Sequence, residues 1–187
     1  MKREIRKYGD PVLREKAQLI TGINAEIRAL ASDMLDTMRA AEGCGLAAQQ
    51  IGETRAICVI AVPEDLDKNE AGERQHPHLE MPLVMLNPEI TEVSKKSAGR
   101  DEGCLSFPEI RGSIQRPVEI TVKFLGLDGK SRVEKLRDFA ARVVQHEVDH
   151  LNGILFIDKM SPAKKFALKR KIANLKSETE EQTGIVR

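Results

Sequence analysis

The sequence HEVDH, which runs from His146 to His150, constrains this 187-residue chain more than any other feature. A separation of four residues places the two imidazoles on one helical face, about one turn apart, so that a single ion can bind both. Glu147 lies beside the first histidine and can act as a general base on a water at that ion. Apolar residues that include Phe139 and Val143 precede the stretch and indicate a buried helix. Because buried imidazoles and carboxylates are costly without partners, the pattern predicts a helix that binds a divalent ion.

A third metal ligand is available upstream, in the segment DEGCLSFPEI. Two histidines leave a tetrahedral ion one protein ligand short if its fourth position is to hold water. Cys104 can supply that ligand as a thiolate, on a short extended segment in which Gly103 and Leu105 flank it. The chain has three cysteines, a small and odd number that does not suit a disulfide framework. Cys58 lies in an apolar run and is interpreted as a small hydrophobic residue.

The segment EGCGLAAQQIG, from Glu42 to Gly52, is rich in small residues. Gly43 and Gly45 allow the backbone to pass close to another element or to a ligand. Gln50 can then offer an amide N–H donor to a substrate oxygen. A tight turn between a helix and a strand would explain this segment equally well.

Hydrophobic periodicity predicts helices and strands in mixed order. Apolar residues at three- and four-residue steps predict an N-terminal helix from near Asn24 to a stop before Gly43. Alternation over residues 118–124 predicts a half-buried strand, and Asp128-Gly129 then predicts a hairpin with a return strand near residues 131–136. Two more strands are predicted at residues 55–62 and 81–93, the second broken near Pro88.

The C-terminal third is predicted to be helical. Asp138 is the predicted cap of the metal-binding helix, and a last helix begins at Ser161-Pro162 and frays into a polar tail from about residue 177. The sequence therefore predicts an α+β fold, with antiparallel or mixed β-sheets packed around a central HExxH helix and with an N-terminal and a C-terminal helix. At 20.8 kDa, residues 1–187 fit one catalytic domain.

The polar segment between the first two strands contains two more histidines, His76 and His78. Nothing near them in the sequence would hold them rigidly, so the prediction is a pair of solvated loop histidines rather than metal ligands.

The charge is balanced, with 30 Lys plus Arg against 29 Asp plus Glu. This balance gives no reason to expect nucleic acid or an anionic membrane as the main partner. No apolar run fits a signal peptide or a spanning helix, so a soluble cytoplasmic protein is predicted.

Three segments together resemble the signature motifs of peptide deformylases, in that family's order and approximate spacing. GCGLAAQQ resembles the first motif, EGCLS the second and QHEVDHLNG the third, and a looser match extends over nearly the whole chain. The resemblance implies that Cys104, His146 and His150 bind the metal and that Glu147 moves protons. It also implies that the amide of Gln50 and the backbone N–H of Leu105 stabilise the oxyanion.

The resemblance further implies the substrate, the N-formylmethionine that begins a nascent polypeptide, which is cleaved to formate and a free amine. A narrow wall at Gly45 and Leu105 would exclude larger acyl groups. Phe139 and Val143 are the candidates for an apolar methionine pocket, and Cys44 and Gly103 are placed with the substrate-binding residues. Arg142 falls where some members have an apolar pocket residue and others an arginine, which leaves the shape of the pocket open.

The family implies Fe²⁺ as the native ion, with Zn²⁺, Ni²⁺ or Co²⁺ as possible substitutes, because the same ligands suit several metals. Related enzymes are thought to contact the ribosome, and the basic C-terminal helix is the candidate surface. The alternative is that this helix face is simply exposed to solvent, which is the usual place for like charges at helical spacing. This helix carries Lys164, Lys165, Lys169, Arg170 and Lys171.

Two other functions remain as alternatives. A zinc endopeptidase of the HExxH type would need a third ligand after the helix, where LNGILFIDKM offers only Asp158, and it would leave EGCLS unexplained. A non-catalytic domain with a structural ion would need four protein ligands, whereas the sequence shows three.

Overall fold

The computed structural model describes residues 1–184 and has the predicted α+β fold. Within these residues, short 3₁₀ turns precede or connect the regular elements at Pro11–Arg14, Ala48–Ile51, Glu64–Asp67 and Phe156–Asp158. The elements are α1 (Ala25–Ala40), β1 (Gly45–Ala47), β2 (Ile57–Ile60), β3 (Leu83–Val93), β4 (Ser97–Cys104), β5 (Phe107–Pro117), β6 (Glu119–Leu125), β7 (Ser131–Arg137), α2 (Asp138–Leu151), α3 (Pro162–Ala167) and α4 (Lys169–Thr183).

The strands form two antiparallel sheets. Five strands pair in the order β1-β2-β3-β6-β7, and β4 pairs with β5 in a separate hairpin. All neighbours in both sheets run antiparallel, whereas the sequence left antiparallel and mixed sheets open. The hairpin β4–β5 carries Cys104 at its turn, so this second sheet positions one of the candidate ligands.

Helices cover both faces of the five-stranded sheet. Successive residues of β2 point to opposite faces, so Cys58 and Ile60 pack in the cluster that contains α2, while Ile57 and Val59 pack against α1. This arrangement explains why β2 is buried along its whole length. It also places α2, with both candidate histidines, in the centre of the molecule.

The two ends of the predicted N-terminal helix agree with the structure. The side chain of Asn24 caps α1 by accepting a hydrogen bond from the N–H of Ile27 at 3.0 Å, and the helix ends before Gly43. The predicted hairpin is confirmed as β6 and β7, with Gly129 in the left-handed region at φ 77°.

The strand predicted to break at Pro88 continues through it as β3. The pairing of β3 with β6 shifts between Leu86 and Glu89, and Asn87 adopts a positive φ of 50°. The chain therefore accommodates the proline with a bulge, because Pro at a bulge removes no ladder hydrogen bond.

The prediction that Asp138 caps α2 is wrong by one residue. Arg137 occupies the cap position, and Asp138 is the first helical residue, with a positive φ of 47° and its N–H bonded to the carbonyl of Val118 at 2.8 Å. Strand β7 leads directly into the helix, so no loop separates them and no side-chain cap forms.

The last helix begins as predicted, with Ser161 as the cap and Pro162 in the first turn. It is divided at Leu168 into α3 and α4, and residues 177–183, predicted as a polar tail, continue α4. The physical reason is tertiary: Thr179 is buried against the turn at Gly9, which orders the polar turns of the helix. Residues 185–187 of the predicted tail lie outside the described residues.

The loop before β3 differs from its prediction at one histidine. His76 is only 2% exposed, because its Nδ1 pairs with Asp67 and its Nε2 accepts a hydrogen bond from the N–H of Arg137 at 3.0 Å. His78 is exposed, as predicted, and pairs with Glu134 at 3.1 Å. The prediction of a solvated histidine was therefore wrong for His76.

None of the helices within residues 1–184 is long and apolar enough to cross a membrane.

Candidate active site

A cavity of about 560 Å³ lies between the glycine-rich segment, the turn of the β4–β5 hairpin and helix α2. Its walls combine apolar side chains with the polar groups of the HExxH helix. Among the lining residues are all five predicted substrate-binding residues, namely Cys44, Gly45, Gly103, Phe139 and Val143.

The structure brings the three predicted metal ligands together from two elements. Cys104 ends β4, while His146 and His150 lie one turn apart on α2. One ligand atom from each residue lies within 4.8 Å of the other two, and the Cys104 sulfur is 3.2 Å from Nε2 of His150. The two imidazole centroids are 5.0 Å apart.

Glu102 orients the first histidine of this group. Its Oε2 lies 3.0 Å from Nδ1 of His146, so that the Nδ1 proton is donated to the carboxylate and Nε2 is left facing Cys104. In metal sites a ligand histidine usually donates its other ring N–H to a carboxylate or a carbonyl. This hydrogen bond fixes the orientation of the ring and makes the remaining nitrogen a stronger metal ligand. Sequence reasoning missed Glu102. The available signal was its position two residues before Cys104, since alternate residues of a strand face the same side.

Two arginines hold the Glu102 carboxylate in turn. Arg116 donates to both oxygens, at 2.6 and 2.9 Å, and to Asp149 at 2.7 Å, while Arg142 donates to Oε1 at 2.6 Å. Burial favours a higher pKa for Glu102, but hydrogen bonds from His146 and Arg116 outweigh it and lower the pKa to about 2. The carboxylate therefore carries a negative charge next to His146.

This donor set fits a divalent ion. One sulfur and two imidazole nitrogens at this spacing are ligand types that zinc, iron and related ions accept, and three protein ligands leave an open position for water. Burial would lower the pKa of His146, but its hydrogen bonds to Cys104 and Glu102 raise the pKa to about 10. Burial also lowers the pKa of His150 well below its ordinary value.

Glu147 points into the cavity with one oxygen unsatisfied. Its Oε2 is buried and has no hydrogen-bond partner within the described part of the chain, which costs about 1–3 kcal/mol unless a ligand or water meets it. Burial raises the pKa of Glu147 to about 7. Gly45 makes room for this carboxylate, because a Cβ at that position would lie 2.3 Å from Glu147 Oε1.

The amide of Gln50 has the orientation of a donor toward the cavity. Its Oε1 accepts a hydrogen bond from the N–H of Ala47 at 2.8 Å, which directs Nε2 to within 3.4 Å of the Cys104 sulfur and of the Ser106 hydroxyl. Leu105 lies in the turn between β4 and β5 and lines the same cavity. Both predicted oxyanion donors are thus next to the candidate metal ligands.

Arg142 also lines the cavity, but its guanidinium is turned toward Glu102 and the backbone of the β4–β5 hairpin. The sequence left the shape of the pocket at residue 142 undecided. In the structure the aliphatic stem of Arg142 lines the cavity there, and its charge is already paired with Glu102. Phe139 and Val143, on the same helix, provide the apolar surface beside it.

An HExxH helix, a cysteine from a neighbouring hairpin and a carboxylate in an open cavity define the class of the metal-dependent hydrolases. The particular family follows from comparison with known proteins: the sequence model of polypeptide deformylases matches residues 2–166, and the chain belongs to that family.

Relatives of known name agree with this assignment. The chain is 44% identical over 156 residues to the peptide deformylase of Agrobacterium fabrum, covering 83% of this chain and 85% of the relative. It is 41% identical over 175 residues to that of Endomicrobium trichonymphae, covering 94% and 96%.

Solved structures give the same result for the fold. A plant peptide deformylase superposes with a TM-score of 0.85 at 33% identity, covering 97% of this chain and 93% of that one. The peptide deformylase of Ehrlichia chaffeensis gives a TM-score of 0.84 at 33% identity, with both chains covered completely. Peptide deformylases are metal-dependent hydrolases that remove the formyl group from nascent peptides, and neither the endopeptidase nor the structural-domain alternative is favoured.

Proposed function

We propose that this chain acts as one catalytic domain that hydrolyses the formyl group from N-formylmethionyl peptides and releases it as formate, with Cys104, His146 and His150 as the metal ligands. The observation that carries the proposal is the convergence of a cysteine on the β4–β5 hairpin with the histidine pair of α2, at the base of an open cavity. An endopeptidase with its third ligand after the helix would not use this cysteine. In the structure Asp158, the alternative third ligand, pairs with Arg14.

We propose Fe²⁺ as the native ion, on the basis of family membership, and Zn²⁺, Ni²⁺ or Co²⁺ as substitutes that the same ligands accept. When bound, such an ion polarises the carbonyl oxygen and lowers the pKa of water from about 15.7 toward neutrality. The thiolate in the ligand set makes the site sensitive to oxidation, so the metal should be assayed under anaerobic conditions.

Glu147 is the proposed proton carrier. Its unpartnered Oε2 can accept the proton of the attacking water and return it to the amine that leaves when the C–N bond breaks. A buried carboxylate one residue from a ligand histidine is close enough to reach both positions without ligating the ion itself.

Gln50 and Leu105 are the proposed oxyanion donors. As the formyl carbon becomes tetrahedral, charge develops on its oxygen, and the Nε2 amide of Gln50 and the backbone N–H of Leu105 can meet it. The bond from Ala47 to Gln50 Oε1 supports this role, because it fixes the amide before the substrate arrives.

The remaining lining residues are proposed to select the substrate. Gly45 and Leu105 leave room for a formyl group, which carries only hydrogen on its carbonyl carbon. Phe139 and Val143 offer an apolar surface for the methionine side chain, and the thiol of Cys44 and the backbone of Gly103 complete the wall.

A cytoplasmic location and nascent polypeptides as substrates follow from this activity as proposals. Contact with the ribosome through the basic residues of α3 and the first turn of α4 is supported by their exposure. A solvated face explains the same exposure, and sedimentation of the protein with ribosomes separates the two.

The test of the proposed function is formate release from formyl-methionyl peptides by anaerobically prepared enzyme, with unformylated peptides as the control. Glu147→Ala should retain its metal and lose about two to four powers of ten in kcat, the usual contribution of acid–base catalysis. Wild-type turnover in that variant would refute the role of Glu147. Cleavage of internal peptide bonds without formate release would favour an endopeptidase.

A further inference from the structure

The guanidinium of Arg142 connects helix α2 to both strands of the β4–β5 hairpin. Arg142 lies four residues before His146 on α2 and is 7% exposed. Its Nη1 donates to Oε1 of Glu102 at 2.6 Å and to the carbonyl of Ile114 in β5 at 2.9 Å. Its Nη2 donates to the carbonyl of Ala98 in β4 at 2.6 Å. One side chain therefore spans the two elements that supply the metal ligands.

The carboxylate of Glu102 is held from α2 at both of its oxygens. Arg142 binds Oε1, and His146, one turn later on the same helical face, binds Oε2 at 3.0 Å. Because only Gly103 separates Glu102 from Cys104 at the end of β4, a shift of this stretch of backbone relative to α2 also moves the sulfur. The distance between the thiolate and the histidine pair thus depends on how firmly α2 grips Glu102.

We propose that Arg142 is a positioning residue for the metal site, which fixes Glu102 and the hairpin relative to α2 so that Cys104 and His146 close on the same ion. This inference rests on the proposed function, because it takes these two residues as ligands. It gives Arg142 a task separate from lining the cavity, since its charge is directed away from the substrate space.

Arg116 allows the role of Arg142 to be tested without leaving Glu102 unpaired. Arg116 contacts both oxygens of Glu102 from within the same hairpin, at 2.6 and 2.9 Å, so the carboxylate keeps a cationic partner when Arg142 is replaced. Loss of Arg142 therefore removes a connection between elements and leaves no isolated buried charge.

The experiment is Co²⁺ titration of metal-free Arg142→Met, which keeps an unbranched apolar stem and removes all donors. Removal of a group bonded directly to a ligand histidine typically weakens metal binding by about 10- to 100-fold. Arg142 acts one contact further out, through Glu102, so we expect Arg142→Met to bind Co²⁺ about tenfold more weakly than wild type. The charge-transfer band between the thiolate and Co²⁺ should also change, because the sulfur is held less firmly. At saturating Co²⁺ the variant should still release formate.

Gln145→Met is the matched control. Gln145 is a buried residue of α2 that also donates to a backbone carbonyl of β5, that of Pro117 at 3.0 Å, but it does not contact Glu102. Its replacement removes a connection from helix to hairpin of similar kind, and its affinity for Co²⁺ should equal that of wild type. Circular dichroism and the thermal midpoint of the metal-free proteins establish that the variants are folded.

Arg142→Lys is the second variant. It retains the positive charge but cannot donate to three acceptors from a planar fork, so it should bind Co²⁺ with an affinity between those of wild type and Arg142→Met. If Arg142→Met does not fold, the lysine variant decides, and wild-type affinity in it would overturn the proposal.

The proposal would also be overturned by unchanged Co²⁺ affinity in Arg142→Met, or by an equal loss in Gln145→Met. Failure of the proposed function is distinguishable, because in that case wild-type protein would itself bind no stoichiometric Co²⁺ or release no formate.

Discussion

Two buried histidines in this molecule are each oriented by a carboxylate at Nδ1, but their Nε2 atoms have different partners. In the loop before β3, His76 pairs its Nδ1 with Asp67; in the cavity, His146 pairs its Nδ1 with Glu102. The Nε2 of His76 is satisfied by the backbone N–H of Arg137, whereas the other side of the His146 ring faces Cys104 and a second imidazole. The loop centre is thus closed by the protein itself, and the cavity centre is open to a ligand.

The comparison teaches that burial and a carboxylate partner do not by themselves identify a metal ligand. Both features fix a tautomer and a ring orientation, which a structural histidine needs as much as a catalytic one. The two centres differ because, at His146, a sulfur and a second imidazole nitrogen converge beside an open cavity, and at His76 they do not. Replacing groups in each centre in parallel therefore tests whether this distinction is correct.

The largest difference is expected between His150→Ala and His76→Ala. The first variant should lose its bound metal and fall to background formate release, because two protein ligands remain where three are needed. The second should retain full metal content and kcat/KM near wild type. Metal analysis after anaerobic purification, together with the formate assay, measures both. Metal loss from His76→Ala would mean that the loop centre also takes part in binding the ion.

A smaller difference should separate two adjacent glutamines. Gln50→Ala should lower kcat by about two to three powers of ten with metal retained, because it removes an oxyanion donor. Gln49→Ala is the matched control, since the Gln49 amide is also buried but donates to the carbonyl of Glu15 at 3.2 Å. Equal kinetics for the two variants would count against a role of Gln50 in stabilising the oxyanion.

The next smaller difference in metal affinity is expected between variants of the two carboxylates that orient the histidines, Glu102 and Asp67. Glu102→Gln should weaken metal binding by about 10- to 100-fold, the usual effect of losing the group that orients a ligand histidine. Asp67→Asn changes the corresponding group in the loop and should leave metal affinity unchanged. Competition with a chelator measures both affinities. An effect of Asp67→Asn as large as that of Glu102→Gln would remove the distinction between open and closed centres.

The smallest effects concern stability alone. His76→Ala removes the ring that pairs with Oδ1 of the buried Asp67, whose Oδ2 keeps the backbone N–H of residue 76 and the nearby Arg74, and should cost about 1–3 kcal/mol in the free energy of unfolding. His78→Ala removes an exposed pair with Glu134 and should cost about 0.2–1 kcal/mol. Urea denaturation of the two variants compares these values. A greater loss in the His78 variant would show that the exposed pair, rather than the buried one, holds the loop.

Local spacing was enough to predict α2 and the β6–β7 hairpin before it, but it did not predict the β4–β5 hairpin, which carries Cys104. The four-residue separation of His146 and His150 determines that they share a helical face, and the turn at Asp128-Gly129 determines the hairpin before that helix. The ligand count of a tetrahedral ion suggested Cys104 as the third ligand, and the family motifs implied the same residue. Periodicity cannot show this contact, because 42 residues or more separate Cys104 from the histidines.

The features that sequence reasoning missed depend on tertiary contacts. The position of Glu102 two residues before Cys104 was a local signal, but its contact with His146 joins β4 to α2 across 44 residues. One of the two partners of His76 lies on β7, about 60 residues later. Residues 177–183 have a polar composition typical of a tail, but packing of Thr179 near Gly9 makes them helical. In each case a partner distant in the sequence, and not local propensity, decides the structure.

The close approach of β1 to Glu147 sets a limit on how this pocket can change during evolution or in the laboratory. A side chain of any size at position 45 would place its Cβ 2.3 Å from a carboxylate oxygen of Glu147, so the position cannot vary without displacing this proposed proton carrier. At position 43 an added Cβ would meet the flexible tip of Leu105 at 2.9 Å, and position 44 already carries a side chain into the cavity. Libraries that seek to broaden acyl selectivity should therefore vary positions 43 and 44 and leave position 45 as glycine.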